Sequence, residues 1–149
     1  FFIGRIKYAP GTLASFFTCI LFLILINFFN FSFIFLITLI IFIYSFFAIN
    51  NSFDEFKSED PQEIVMDEVV GQMLVLLAIP IYETLYPLPL IYYCMSGFFL
   101  FRIFDIWKPY PINYVDDNVE GSTGIMLDDI VASIYSILIL ILIFFFLGG

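Results

Sequence analysis

Five carboxylates in this chain, Asp67, Glu68, Asp105, Asp128 and Asp129, stand at the borders of long apolar runs, where charge is expensive and needs a reason. The chain has no histidine, and its two cysteines, Cys19 and Cys94, lie in apolar stretches without Cys-x-x-Cys spacing. That removes Ser-His-Asp, Cys-His and His-ligated zinc chemistry and leaves the cysteines as small buried hydrophobes. Any catalysis has to run on carboxylates, Arg, Lys, hydroxyls and a metal. An all-oxygen donor set suits a hard cation such as Mg2+ or Mn2+. Phosphoryl transfer is the chemistry such a site performs well, because the cation neutralises phosphate oxygens and lowers the pKa of a bound water.

Each acid also has a structural reading. Asp67-Glu68 and Asp128-Asp129 are expected to open helices, where acids cap the first turn and complement the dipole. Asp105 is different. It belongs near the C-terminal end of a helix that should stop around Lys108, because Pro109 and Pro111 follow, and an anion there opposes the dipole. Arg102 and Lys108 lie three residues to either side on the same helical face, so an ion-pair ladder is one reading. A metal or phosphate site, with Asp105 as an oxygen ligand and the two bases on phosphate, is the other. Adjacent helical residues point about 100° apart, so Asp128 and Asp129 are not expected to address one point; one can ligate while the other holds a water. Two glycine-bearing stretches, Tyr8-Ala9-Pro10-Gly11-Thr12 and Gly121-Ser122-Thr123-Gly124, read as loops before helices, either ordinary turns and caps or anion-binding backbone.

The elements that must position these groups are membrane helices. The chain's 149 residues are 62% hydrophobic, against about 45–50% for soluble domains, and its mean hydropathy is +1.06. The uncharged run from Tyr8 to Phe53 holds two spans of roughly 20 residues each, with Asn27 and Asn30 at the turn. Pro80, Pro87 and Pro89 together with Glu83 mark another turn. Helices are expected near Leu13–Phe29, Phe31–Ile49, Val69–Tyr82, Leu88–Trp107 and Asp128–Leu147, the third short for a span and so little tilted, locally thinning the bilayer, or re-entrant. The expectation is an all-α polytopic membrane helical bundle of about four to five hydrophobic helices, one domain over residues 1–149. The sequence starts without Met, which leaves room for residues before Phe1; the first apolar segment follows a Pro-Gly loop and no small-residue cleavage site separates it from the next, so a cleaved signal peptide is not expected.

Eighteen of the nineteen charged residues fall in three stretches, Arg5 to Lys7, Asp54 to Glu68 and Arg102 to Asp129; Glu83 is the exception. Two crossings separate each stretch from the next, so all three share one face. All five basic residues, Arg5, Lys7, Lys57, Arg102 and Lys108, are on it, and the positive-inside rule makes it cytoplasmic. A net charge of −9 gathered there calls for solvation, protonation or a bridging cation. The acids from Asp54 to Glu63 read as a solvated loop.

Four strings carry a family resemblance: Tyr8-Ala9-Pro10-Gly11-Thr12; Asp60-Pro61 with Ile64-Val65-Met66-Asp67-Glu68-Val69-Val70-Gly71; Phe101-Arg102-Ile103-Phe104-Asp105-Ile106-Trp107-Lys108-Pro109-Tyr110-Pro111; and Gly124-Ile125-Met126-Leu127-Asp128-Asp129. In this order they resemble the phosphatidylglycerophosphatase A family of bacterial membrane lipid phosphatases across essentially the whole chain. The chain departs from the family's usual residues at Ala14, Tyr110, Ser122-Thr123 and Ser133. The resemblance implies a Mg2+-dependent enzyme of the bacterial cytoplasmic membrane, with its active site facing the cytoplasm, that removes the terminal phosphate of phosphatidylglycerophosphate to give phosphatidylglycerol. It implies that Asp67, Glu68, Asp105, Asp128 and Asp129 form the catalytic and metal-holding set and that Arg102 and Lys108 bind phosphate. Arg5, Lys7 and Thr12, on the same face, are expected to join them in binding substrate.

The partners implied are a phospholipid substrate and the bilayer, with no nucleic acid. The expected reaction is attack of an activated water on phosphorus with one carboxylate as base; an aspartyl-phosphate intermediate is a variant. Type-2 phosphatidic-acid phosphatases need the missing His, and Cys-x5-Arg, Asp-x-Asp and Asp-Gly-x2-Ala-Arg signatures are absent. From another class, a small divalent-cation transporter or structural subunit would use the acids as an ion vestibule. Such a protein should carry polar groups near mid-membrane, where the predicted helices offer little beyond Gln72 and scattered Ser, Thr and Cys.

Overall fold

The computed structural model describes residues 9–52, 65–119 and 121–149, and among these every regular element is a helix. Arg5, Lys7 and the acids from Asp54 to Glu63 lie outside the described residues. The helices are α1 (Pro10–Leu25), α2 (Phe31–Ser52), α3 (Met66–Leu77), α4 (Ile79–Leu85), α5 (Leu90–Trp107), α6 (Ile112–Asn118) and α7 (Gly121–Gly148). Four segments are long and apolar enough to cross a membrane: Phe31–Ile49, Met66–Leu85, Leu90–Trp107 and Gly121–Gly148. The first helix, α1, is shorter at 16 residues. This is the helical membrane bundle expected from the apolar runs.

Local chemistry sets the helix ends. Pro10 starts α1, where its missing N–H costs nothing. The turn after α1 is where Asn27 and Asn30 suggest it: the Asn27 side chain donates to the Leu23 carbonyl, and Asn30 Oδ1 accepts the Phe33 N–H at 2.9 Å to cap α2. Pro80 does not make the next turn, contrary to the sequence expectation. It enters α4 in its first turn, so the chain breaks only briefly at Ala78 and continues to Leu85. The third span is therefore 20 residues long and not short. The true turn, Tyr86 to Pro89, is pinned by Tyr93, whose hydroxyl donates to the Tyr86 carbonyl at 2.5 Å and accepts the Leu88 N–H at 2.6 Å.

One boundary and one added helix on the charged side also differ from expectation. The last helix begins at Gly121, in the left-handed region at φ 78°, and not at Asp128, so the Gly121-to-Gly124 stretch is its first turn and not a loop. Gly124 is required there, since a methyl on it would overlap the Val119 carbonyl oxygen. A short helix, α6, precedes it; only Ile112 among its residues is buried, and it lies against α7.

The hub is α3, which packs against α1, α2, α5 and α7. Close approach is possible because Gly71 faces Phe101, where an added Cβ would lie 2.6 Å from Cζ. The core runs from Phe22, Leu76 and Phe101 to a cluster of Tyr82, Tyr93 and Phe144, whose ring centroids are 5.3–6.2 Å apart. A second patch of Ile49, Val70 and Met126 joins α2 and α7 to α3. Phe35, Ile40, Phe47, Phe99, Leu142 and Phe145 are exposed, an apolar exterior far beyond what water tolerates. Trp107, Tyr110 and Tyr114 are exposed where α5 passes into α6, the amphipathic ring type that settles at headgroup level.

Candidate metal and phosphate site

Three helix segments bring the acids together. Asp67 and Glu68 occupy the first turn of α3, where the dipole favours negative charge. Asp129 arrives from the third turn of α7, so the capping role expected of Asp128 and Asp129 does not apply: by that depth the backbone N–H groups are already bonded within the helix. One oxygen from each of Asp67, Glu68 and Asp129 lies within 4.8 Å of the others. Asp67 and Asp129 are buried and Glu68 nearly so. Asp67 Oδ1, Glu68 Oε2 and both oxygens of Asp129 are buried without a hydrogen-bond partner in the protein. Buried carboxylate oxygens in such a group are costly unless something positive meets them.

The 100° step between neighbours sends Asp128 elsewhere. Its Oδ2 accepts from Lys108 Nζ at 2.7 Å, and Lys108 also reaches Asp116 of α6 at 2.6 Å. Lys108 is the C-cap of α5 in the left-handed region, φ 44°, a conformation unusual for a side-chain-bearing residue, and the chain turns there toward α6. Burial acts to lower its pKa, but hydrogen bonds to Asp116 and Asp128 and their charges outweigh it and hold the ammonium above the ordinary lysine range. The ladder expected around Asp105 thus forms only on one side. Arg102 Nη1 meets Asp105 Oδ2 at 2.5 Å, while Lys108 ties α5, α6 and α7 together instead.

Asp105 stands close enough to Glu68 and Asp129 for their charges to interact, and Arg102 is near Glu68 as well. Arg102 Nε has no hydrogen-bond partner in the protein. Thr12 is half-buried in the first turn of α1, beside Gly11. The sequence reads Gly11 as part of a loop before the helix, either an ordinary turn or anion-binding backbone, but it lies inside α1 and its place is more specific: a methyl there would overlap Glu68 Oε1. Ser133, one turn after Asp129, has its Oγ 2.8 Å from the Gly71 carbonyl oxygen and 2.7 Å from that of Asp129, and so ties α7 to α3 just inside the acids.

The donor set fits a hard divalent cation. All three groups offer carboxylate oxygen, the ligand type such cations take, and one oxygen of each lies within 4.8 Å of the others.

Helices long and apolar enough to cross a membrane, around a buried carboxylate cluster with Arg102 close by, define a helical membrane protein with a polar site among its helices. Residues 1–144 match the model of the family described as phosphatidylglycerophosphatase A, and the chain belongs to that family. It is 35% identical over 136 residues to the phosphatidylglycerophosphatase A of Haemophilus influenzae, covering 91% of this chain and 79% of that protein. It is 43% identical over 77 residues to the Escherichia coli protein of the same name, covering 52% of this chain and 41% of that one. A Bacteroides thetaiotaomicron protein with the provisional name phosphatidylinositol-3-phosphatase is 31% identical over 140 residues, 92% of this chain and 84% of its own length. No solved structure matches the chain.

Proposed function

We propose that this protein, acting as one domain, hydrolyses the terminal phosphomonoester of phosphatidylglycerophosphate to phosphatidylglycerol and phosphate at the cytoplasmic face of a bacterial inner membrane. The observation that carries the reading is the convergence of Asp67, Glu68 and Asp129 from α3 and α7, beside Arg102, in a chain of the phosphatidylglycerophosphatase A family. These three carboxylates would hold Mg2+, with Asp105 at the edge of the group. A cation bound there would neutralise phosphate oxygens and favour deprotonation of water.

The chain's own residues supply the rest. Arg102, partly buried beside Glu68 and Asp105, presents a guanidinium suited to phosphate oxygens. Lys108 and Asp128 form a second polar pair at the headgroup side, and the ammonium can exchange Asp116 for a phosphate oxygen. A carboxylate of the cluster accepts a proton from the attacking water as the water oxygen bonds to phosphorus; the ester P–O bond breaks, and the carboxyl returns that proton to the departing lipid alkoxide, which leaves as the alcohol. The apolar exterior lets the acyl chains stay in the bilayer throughout.

The test is phosphate release from phosphatidylglycerophosphate by the purified protein in detergent, with Mg2+ and with excess chelator, and phosphatidylinositol 3-phosphate run in parallel. Mg2+-dependent release from the first lipid and little from the second is expected. No metal-dependent release from a folded sample would sink the hydrolase reading, and preference for the inositol lipid would transfer the substrate assignment. Asp105→Asn, nearly isosteric but uncharged, should lower turnover at least tenfold; wild-type turnover would leave Asp105 as a partner of Arg102 alone.

A further inference from the structure

One turn deeper than the acids, the bundle holds a second polar position. Gln72 is fully buried, and neither Oε1 nor Nε2 of its amide has a hydrogen-bond partner in the protein. It follows Glu68 by four residues on α3, so its side chain lies on the same helical face, one turn further from the charged end. Gly11 touches Glu68 from α1, and Ser15, four residues beyond Gly11, is also fully buried. Both helices run away from the charged end, which brings Ser15 and Gln72 to the same depth. Ser15 Oγ donates to the Gly11 carbonyl at 2.9 Å and keeps its lone pairs free to accept. On the other side, α5 presents Gly97, where an added Cβ would lie 3.9 Å from Gln72 Nε2. That same position is 3.0 Å from Val75 Cγ1, so α5 packs closely there and gives the amide no polar partner.

An unpaired buried amide is worth about 1–3 kcal/mol of lost stability for each group, so an apolar residue of the same size would serve packing better. A primary amide presents both donors and acceptors, and Glu68 Oε2, one turn away, needs a donor. A water satisfies both, since it donates to the carboxylate and pairs with the amide. We infer that Gln72 is a positioning residue for the carboxylate cluster: with Ser15 it holds a buried water that hydrogen-bonds Glu68 and fixes that carboxylate toward Asp67 and Asp129. The inference rests on the reading of those carboxylates as a cation site. Gln72 acts there through Glu68 and has no role in contacting the lipid.

The test uses full-length protein in detergent without lipid. Mn2+ affinity is measured by electron paramagnetic resonance for the wild type and for Gln72→Met, which keeps length and loses the amide. The variant is expected to bind at least tenfold more weakly while melting no lower in the absence of metal, and to lose kcat with little change in KM. Equal Mn2+ affinity would overturn the inference, whereas no Mn2+ binding by the wild type would instead overturn the cation site. A second measurement needs no variant in the core. The chain has only two glutamines, Gln62 and Gln72, so side-chain 15N labelling with Gln62→Ala as assignment control isolates one amide. A nuclear Overhauser effect from water to that buried amide is expected, and its absence would overturn the proposal.

Discussion

At the scale of single residues, the acids of this chain separate into different tasks because helix geometry separates them. Asp128 and Asp129 are neighbours in sequence, yet one turns to Lys108 and the other to Asp67 and Glu68. Gly11 shows how little space the cluster has. Gly11→Ala puts a methyl where Glu68 Oε1 lies, and the carboxylate has to move. Because displacements of about 1 Å can cost up to about 100-fold in rate, this variant should lose at least tenfold in turnover while its melting temperature stays within a few degrees of wild type. Full activity would mean that Glu68 need not stand where it does. Lys108 has a pH consequence as well. Its raised pKa means that its ion pairs contribute fully below the ordinary lysine value near 10.4, and are lost only as pH rises through the still higher folded value. The stability difference between wild type and Lys108→Met should therefore be the same at pH 7 and pH 9; a difference that shrinks between them would contradict the shift.

At the scale of elements, Lys108 is the joint between α5, α6 and α7. Removing it as Lys108→Met leaves Asp128 buried without its cation, so the single variant should lose more stability than the Lys108→Met, Asp128→Asn pair, by about 1–2 kcal/mol after allowing for partial exposure of the ammonium. Additive losses in a double-mutant cycle would show that the pair does not couple. The same joint explains what the sequence could and could not reveal. Apolar runs of spanning length announced the helices, and the acids of α3 announced its start, because both signals are local. The start of α7 was hidden: Gly121 and Gly124 look like loop residues, and the need for Gly124 comes from Val119 passing against it, a tertiary fact. Pro80 looked like a turn, yet a proline is tolerated at the first turn of a new helix. Helix α6 has one buried residue and no apolar stripe, so nothing in its pattern marks it. Likewise the acid cluster was legible as residue types, but which three acids converge depended on α7 beginning two turns early.

At the scale of the molecule, the proposed orientation puts the charged end and the Glu83 end on opposite sides of the membrane, since Met66–Leu85 is long and apolar enough to cross it. The native cysteines are buried, so single added cysteines can report sidedness. Asp117→Cys should react with an impermeant maleimide in inverted vesicles and not in intact cells, and Glu83→Cys should do the reverse. Labelling of both from outside would reject the proposed orientation.

The unequal lengths of α1 and α7 carry a further consequence. At 1.5 Å per residue, the 16 residues of α1 rise about 24 Å and the 28 of α7 about 42 Å, against a hydrocarbon thickness of roughly 30 Å. The short helix begins at Pro10, with Gly11 against Glu68, so if α1 spans the bilayer the leaflet beside the acids is expected to dip to meet it. On the proposed function, headgroups would then be drawn inward at the place where the phosphate is handled, and bilayer thickness would become a rate-setting variable. In proteoliposomes, bilayers with acyl chains of about 14 carbons should support faster hydrolysis than those of about 22, and a rate indifferent to chain length would show that the bilayer adapts to α1 without helping the site.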